Sequence, residues 1–157
     1  MMFKKVCIIG CGLIGSSLAR AIKKNGLSNK IVSSNRSDTV NKKVIELKIV
    51  DESSPDTKKM AEDSDLIIIA TPLSSYENVI LKIKDTLKNG TILTDVGSVK
   101  ENIINLVDKV IPKNVSWIPS HPIAGTEESG PEAGFSELFQ NRWCILTPSK
   151  KAKEKDV

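Results

Sequence analysis

The sequence predicts a doubly wound α/β fold with a mostly parallel sheet, and three observations carry that expectation. Short, β-branched apolar runs alternate with stretches at helical spacing, the pattern of strands joined by helical crossovers. The runs are apolar along their whole length rather than at every second residue, which marks strands covered on both faces. The first run passes into the first helix through Gly10-Cys11-Gly12-Leu13-Ile14-Gly15, a turn with glycines at fixed offsets.

Each element follows from its residues. Val6-Cys7-Ile8-Ile9 is a buried strand, and Ile14 to Asn25 a helix with Leu18, Ala21 and Ile22 on one face and Gly26 just past its end. Ile31 to Ser34 is a second strand, and Asp38 to Leu47 a helix with Val40, Val44 and Leu47 at helical spacing. Leu66-Ile67-Ile68-Ile69-Ala70 is the clearest strand. Ser74 or Ser75 caps a helix running to about Leu87, and Asn89-Gly90 is a turn. Thr91 to Asp95 is a strand and Glu101 to Val110 a helix, with Val115 to Ile118 and Cys144 to Leu146 as the last strands. Ser120 to Arg142 has no clear period, and so long a loop in a compact domain is functional or disordered.

A chain of 157 residues, 39% hydrophobic and 27% charged, fits one soluble domain. Aromatics are only 4%, so the core rests on Ile, Leu, Val and Ala. The net charge of +4 owes much to Lys150, Lys151, Lys153 and Lys155, a solvated end rather than a nucleic-acid surface. Cys7, Cys11 and Cys144 are odd in number and lack metal-ligand spacing, which points to reduced thiols in a cytoplasmic protein without a metal site. Cys11, inside the glycine turn, is open to oxidation on this reading. Lys4-Lys5 and the apolar run after them resemble a secretion leader. Glycines interrupt that run, and Arg20, Lys23 and Lys24 follow, so strand, turn and helix is the better reading. No run of about 18 apolar residues exists, so no membrane span is expected.

The turn itself carries chemistry. Gly10 permits a sharp bend, Gly12 a close approach of backbone to a pyrophosphate, and Gly15 tight packing of helix on strand. The helix start offers free N–H groups and a positive dipole end to phosphates. With Leu13 and Ile14 these glycines form a Rossmann dinucleotide-binding site. About 20 residues on, where an acidic side chain would bind a 2′-hydroxyl, stands Asn35, followed by Arg36, Ser37 and Asp38. Asn35 does not repel a 2′-phosphate and Arg36 pairs with one, which favours NADP over NAD. The alternative is that Arg36 is merely solvated and Asp38 takes the ribose.

Ligands of open α/β sheets bind outside the carboxyl ends of the strands. Ala70-Thr71-Pro72, Asp95-Val96-Gly97-Ser98-Val99-Lys100 and Ser120-His121-Pro122 all leave such ends. His121 is the only histidine, the side chain that changes charge near neutral pH, and Pro119 and Pro122 stiffen its surroundings. Ser98 is expected beside it, where a hydroxyl holds an imidazole in one orientation. Ser98 is equally suited to cap the helix beginning near Lys100, and Asp95 to satisfy local backbone N–H groups. Thr126 and Glu127 either bind substrate or shape the turn after Gly125.

The glycine run through Ser16-Ser17-Leu18-Ala19, then Ala70-Thr71-Pro72, Asp95 to Lys100 and His121-Pro122-Ile123-Ala124-Gly125-Thr126-Glu127, resembles prephenate dehydrogenases and the wider group of arogenate and cyclohexadienyl dehydrogenases. Leu146-Thr147-Pro148 is similar to the end of their nucleotide domain. The resemblance implies oxidative decarboxylation of prephenate or arogenate in tyrosine biosynthesis, with a hydride passed to NADP or NAD. It implies that His121 is the catalytic base on the ring hydroxyl and Ser98 its partner, with Thr126 and Glu127 lining the same pocket. It further implies residues 1–148 as the dinucleotide-binding domain and 149–157 as a basic tail or the start of a helical domain. That helical domain, through which family members dimerise, is expected to be missing here. The competing readings are a catalytically incomplete NADP-binding module, or an imine or hydroxyacid reductase.

Overall fold

The strand β1 (Phe3–Ile9) is the axis of the topology. Cys7, Ile8 and Ile9 are almost fully buried, and successive side chains feed opposite faces of the sheet. β1 pairs in parallel with β2 (Ser28–Ser34) on one side and β4 (Leu66–Ile69) on the other. β3 (Glu52–Ser53) extends one edge; β5 (Ile92–Asp95) and β6 (Ser116–Ile118) extend the other, all in parallel. The order is β3-β2-β1-β4-β5-β6, which confirms the doubly wound parallel sheet. The chain winds outward one way from β1 and returns to wind the other way from β4, so the switch point lies between these strands. The computed structural model describes residues 2–150 and 152–157, with the backbone alone at residue 102.

Helices cover both faces. α1 (Leu13–Lys24) and α2 (Asp38–Glu46) bury Ala19, Ile22 and Val44 against Val6, Ile8, Ile31 and Ile68. On the other face α3 (Thr57–Ala61), α4 (Tyr76–Ile83) and α5 (Glu101–Val110) pack Met60, Tyr76, Ile80 and Val107 on Cys7, Ile9, Ile67, Ile69 and Leu93. The aromatic content is low, yet Trp117 and Tyr76 are the largest fully enclosed side chains. α1 ends as expected, with Gly26 at φ +60° just beyond it; Lys23 and Lys24 lie in its last turn, near the negative end of its dipole.

Several expectations need correction. β3 and α3 were not foreseen, because two and five residues are too few to show a period. Asp56 starts α3 by accepting from the Lys59 N–H at 3.1 Å. The helix expected from Ser74 or Ser75 to Leu87 is broken into a 3₁₀ turn at Leu73–Ser75, then α4, then a second 3₁₀ turn at Lys84–Thr86. Ser75 holds the cap position, but its hydroxyl makes no capping bond. β8 (Cys144–Leu146) does not join the main sheet. It pairs antiparallel with β7 (Ser120–Pro122), inside the stretch expected to lack structure, and its residues are exposed.

The tail's Lys150, Lys153 and Lys155 are exposed, and Lys151 lies outside the described residues. The backbone of this segment nevertheless stays on the sheet. Ser149 N donates to Trp117 O at 3.1 Å, and Lys153 N to Ser116 Oγ at 3.3 Å. Among the described residues no helix is long and apolar enough to cross a membrane.

Candidate active site

The glycine turn leaves β1 at the switch point. Gly10 adopts φ +96°, and a Cβ there would stand 2.7 Å from Ala70 O, so only glycine lets β1 turn away this close to the end of β4. At Gly15 a Cβ would lie 2.0 Å from Gly10 O, which closes the helix onto the turn. Gly12 differs: it is exposed and a Cβ would meet nothing within 4 Å. It occupies the N-cap position of α1 without a side-chain cap, so no side chain at the cap takes up the first N–H groups of this twelve-residue helix. Thr71 Oγ1, on the neighbouring loop, is buried without a hydrogen-bond partner. An uncapped helix start, an open Gly12 and an orphaned hydroxyl on one rim fit a dinucleotide. Leu13, Ile14, Ala70 and Thr71 are half-buried around this cleft and Pro72 is exposed.

Asn35 is turned inward. Its Oδ1 accepts from the Cys11 N–H at 2.6 Å, and its Nδ2 donates to Asn41 Oδ1 at 3.0 Å. It therefore braces the glycine turn. Arg36, Ser37 and Asp38 are exposed next to it, and Arg36 forms no ion pair with the described residues. Cys11 is not the open thiol its position suggested. It is 1% exposed, and burial pushes it up to about 11 despite a hydrogen bond from Ser33, so it stays protonated at neutral pH.

The second half of the rim is organised by Asp95, whose sequence neighbourhood points only to local backbone bonds. The Asp95 carboxylate is fully buried at the end of β5. It accepts from Tyr76 Oη at 3.0 Å, Gly97 N at 2.9 Å and Ser120 N at 3.1 Å. Lys100 Nζ bonds both its oxygens, at 2.7 and 2.6 Å. Burial raises the Tyr76 phenol well above its ordinary value, and the Asp95 charge raises it further, so Tyr76 is a permanent donor. The signal that could have found this hub is an aspartate closing a strand with a lysine opening the next helix. Ser120 Oγ also donates to Asp95 O, which fixes the start of β7 on the end of β5.

His121 follows as a half-buried residue of β7 and Ser98 as an exposed residue of the Gly97 loop. Both leave carboxyl ends of parallel strands, the rim that also holds Gly10. No hydrogen bond joins the two side chains. Ser98 is not the cap of α5 either, since Lys100 holds that position. The chain beyond His121 returns to α1: Phe135 N donates to Ser17 Oγ at 3.1 Å, and a Cβ at Gly134 would lie 2.1 Å from Ser16 Oγ. Thr126 and Glu127 are exposed, and Thr126 Oγ1 accepts from Glu128 N at 3.2 Å, so it shapes the turn. Thr126 also lines a cavity of about 420 Å³ with Ile123, Phe135, Leu138 and Arg142. Arg142 had no place in the sequence reading.

Comparison with known proteins gives the family and agrees with the fold. A family model described as prephenate dehydrogenase, nucleotide-binding domain, matches residues 18–157. Cyclohexadienyl dehydrogenase of Zymomonas mobilis is 37% identical over 94% of this chain and 50% of its own length. Prephenate dehydrogenase of Bacillus subtilis is 31% identical over 97% of this chain and 41% of its own. The crystal structure of Aquifex aeolicus prephenate dehydrogenase in complex with hydroxyphenyl propionate and NAD+ superposes with a TM-score of 0.90 at 28% identity, covering 99% of this chain and 54% of that one. The chain thus spans about half the length of the relatives it matches. On its sheet order, its glycine turn and these matches, the chain belongs to the prephenate dehydrogenase family.

Proposed function

We propose that the chain acts in the NAD(P)-dependent oxidative decarboxylation of prephenate, arogenate or both, with residues 1–148 as the dinucleotide-binding domain. The observation that carries this reading is one rim bearing both an open glycine cradle and the only histidine. Gly10, Gly12, Leu13, Ile14 and Gly15 hold the pyrophosphate, and Ala70, Thr71 and Pro72 flank the nucleotide. A bound nicotinamide supplies the hydride acceptor. His121 accepts the hydrogen bond of the ring hydroxyl and draws off its proton as the hydride leaves that carbon. The ring carboxylate departs as CO₂, and its electron pair completes the aromatic ring. Ser98 orients the imidazole once substrate is in place, and Thr126 and Glu127 border the substrate.

NADP is the preferred dinucleotide on this reading. Asn35 is spent on the glycine turn, which leaves Arg36 and Ser37 to meet a 2′-phosphate. The Aquifex relative was crystallised with NAD+, so this preference belongs to the chain's own residues. Calorimetry on Arg36→Ala tests it: affinity for NADP+ falls about tenfold while that for NAD+ is unchanged. Equal losses for both would refute the preference.

Turnover is tested by following the reduced cofactor with prephenate and with arogenate. Loss of turnover in His121→Ala with dinucleotide affinity intact supports the assignment, and full turnover in that variant overturns it. Tight dinucleotide binding without turnover is the outcome expected of a binding module whose substrate groups lie elsewhere. A coverage of half the relatives' length makes that second reading specific.

A further inference from the structure

We propose that Asp95 is a positioning residue that sets Ser98 and His121 relative to one another. The proposal rests on the reading of those two side chains as the reacting pair. Its basis is the identity of the amides that the carboxylate holds. Gly97 N bonds Oδ2 and Ser120 N bonds Oδ1, at 2.9 and 3.1 Å. These are the amides immediately before Ser98 and His121. Two strand ends and two reactive side chains are thus referenced to the two oxygens of one side chain.

The carboxylate cannot drift. Tyr76 Oη donates to Oδ2 from the first residue of α4, and Lys100 Nζ, its side chain 14% exposed, spans both oxygens from the start of α5. Gly97 is shaped to this arrangement. A Cβ there would stand 3.0 Å from Asp95 Oδ2, 3.1 Å from Tyr76 Oη and 2.6 Å from Leu73 Cδ2. A side chain there would crowd the carboxylate, the phenol and Leu73 together, so the Gly97 loop or these neighbours must shift to admit it. Enclosing a charge for this purpose is costly, and the return is a fixed geometry for groups one residue away.

Because His121 is the only histidine, its imidazole gives one Hε1 signal in the proton NMR spectrum of the chain, and that is the imidazole signal to follow. Four variants decide the matter, each first shown folded by circular dichroism: Asp95→Asn, Gly97→Ala, Lys100→Met and, as control, Asp65→Asn on the opposite rim. Asp95→Asn is expected to shift the His121 imidazole signal and the Ser98 amide signal by more than their linewidths. Gly97→Ala leaves every charge in place and is expected to shift both as well. Asp65→Asn leaves both where they are. The proposal fails if folded Asp95→Asn keeps both signals, if Gly97→Ala keeps them while Asp95→Asn moves them (a charge effect alone), or if Asp65→Asn moves them equally. Should Asp95→Asn or Gly97→Ala not fold, Lys100→Met takes its place, and unmoved signals there overturn the proposal. No substrate or cofactor enters this measurement. It therefore stands or falls separately from the turnover assay.

Discussion

Asp65 precedes β4 at the amino rim of the sheet, and Asp95 ends β5 at the carboxyl rim. Both carboxylates gather backbone amides and one lysine. Asp65 accepts from Lys4 N at 2.6 Å, Lys5 N at 3.1 Å and Lys88 Nζ at 2.7 Å. Its side chain is 26% exposed and its lysine 36%, so water can replace much of what it holds. Asp95 is fully enclosed and its lysine is 14% exposed. Asp65 joins strand starts that carry no reactive side chain beside them. Asp95 joins the residues next to Ser98 and His121. The same bonding pattern is thus cheap where it only fastens strands, and desolvated where it borders the pair proposed to react.

The largest effect that could break this comparison is truncation of each carboxylate. Asp95→Ala leaves Lys100 nearly enclosed without a counter-charge and strands the Gly97 and Ser120 amides, a loss of about 3–5 kcal/mol. Asp65→Ala returns its partners to water and costs about 1 kcal/mol or less. Urea unfolding of both variants measures the contrast. Equal losses would mean that enclosure at the carboxyl rim adds nothing.

The glycine turn sharpens the contrast within one rim. Gly15→Ala drives a methyl into Gly10 O and is expected to lower stability by about 1–3 kcal/mol. Gly12→Ala meets no atom and should leave the unfolding midpoint unchanged, while dinucleotide affinity falls because the methyl occupies the pyrophosphate's approach. Thermal unfolding and calorimetry on the pair separate a glycine needed by the fold from one needed by the ligand. If Gly12→Ala binds dinucleotide normally, the cradle has been misplaced.

These two cases also mark how far the sequence could be read. β1, the turn and α1 were legible because every determinant lies within about twenty residues: the apolar run, the three glycines of the turn and Gly26 past the helix end. α5 was legible to its boundaries, Glu101 and Val110, through its spacing. The β7–β8 hairpin was not, because its partners are far apart in sequence and β8, three exposed residues, pairs away from the main sheet. Asp95 was legible as a strand end but not as a hub, since its bonds to Tyr76 and Ser120 span 19 and 25 positions. Asn35 was legible by position but not by orientation: the bond to Cys11 N closes a gap of 24 residues that no local pattern reports.

The smallest expected effect is the acid response of the amino rim. Burial pushes the Asp65 carboxyl up. The hydrogen bonds from Lys88 and from the Lys5 and Lys4 amides outweigh it and hold the group below its ordinary value. A carboxyl lowered on folding adds stability above its unfolded value near 4, and that contribution disappears as pH falls through the lowered folded value. Asp65→Asn should therefore flatten the acid limb of the stability curve, with the two proteins converging below the folded value. Urea midpoints taken from neutral pH down through the carboxylate range measure the slope. An acid limb equally steep in Asp65→Asn would assign the acid sensitivity to other carboxylates and leave the amino rim held by its backbone bonds alone.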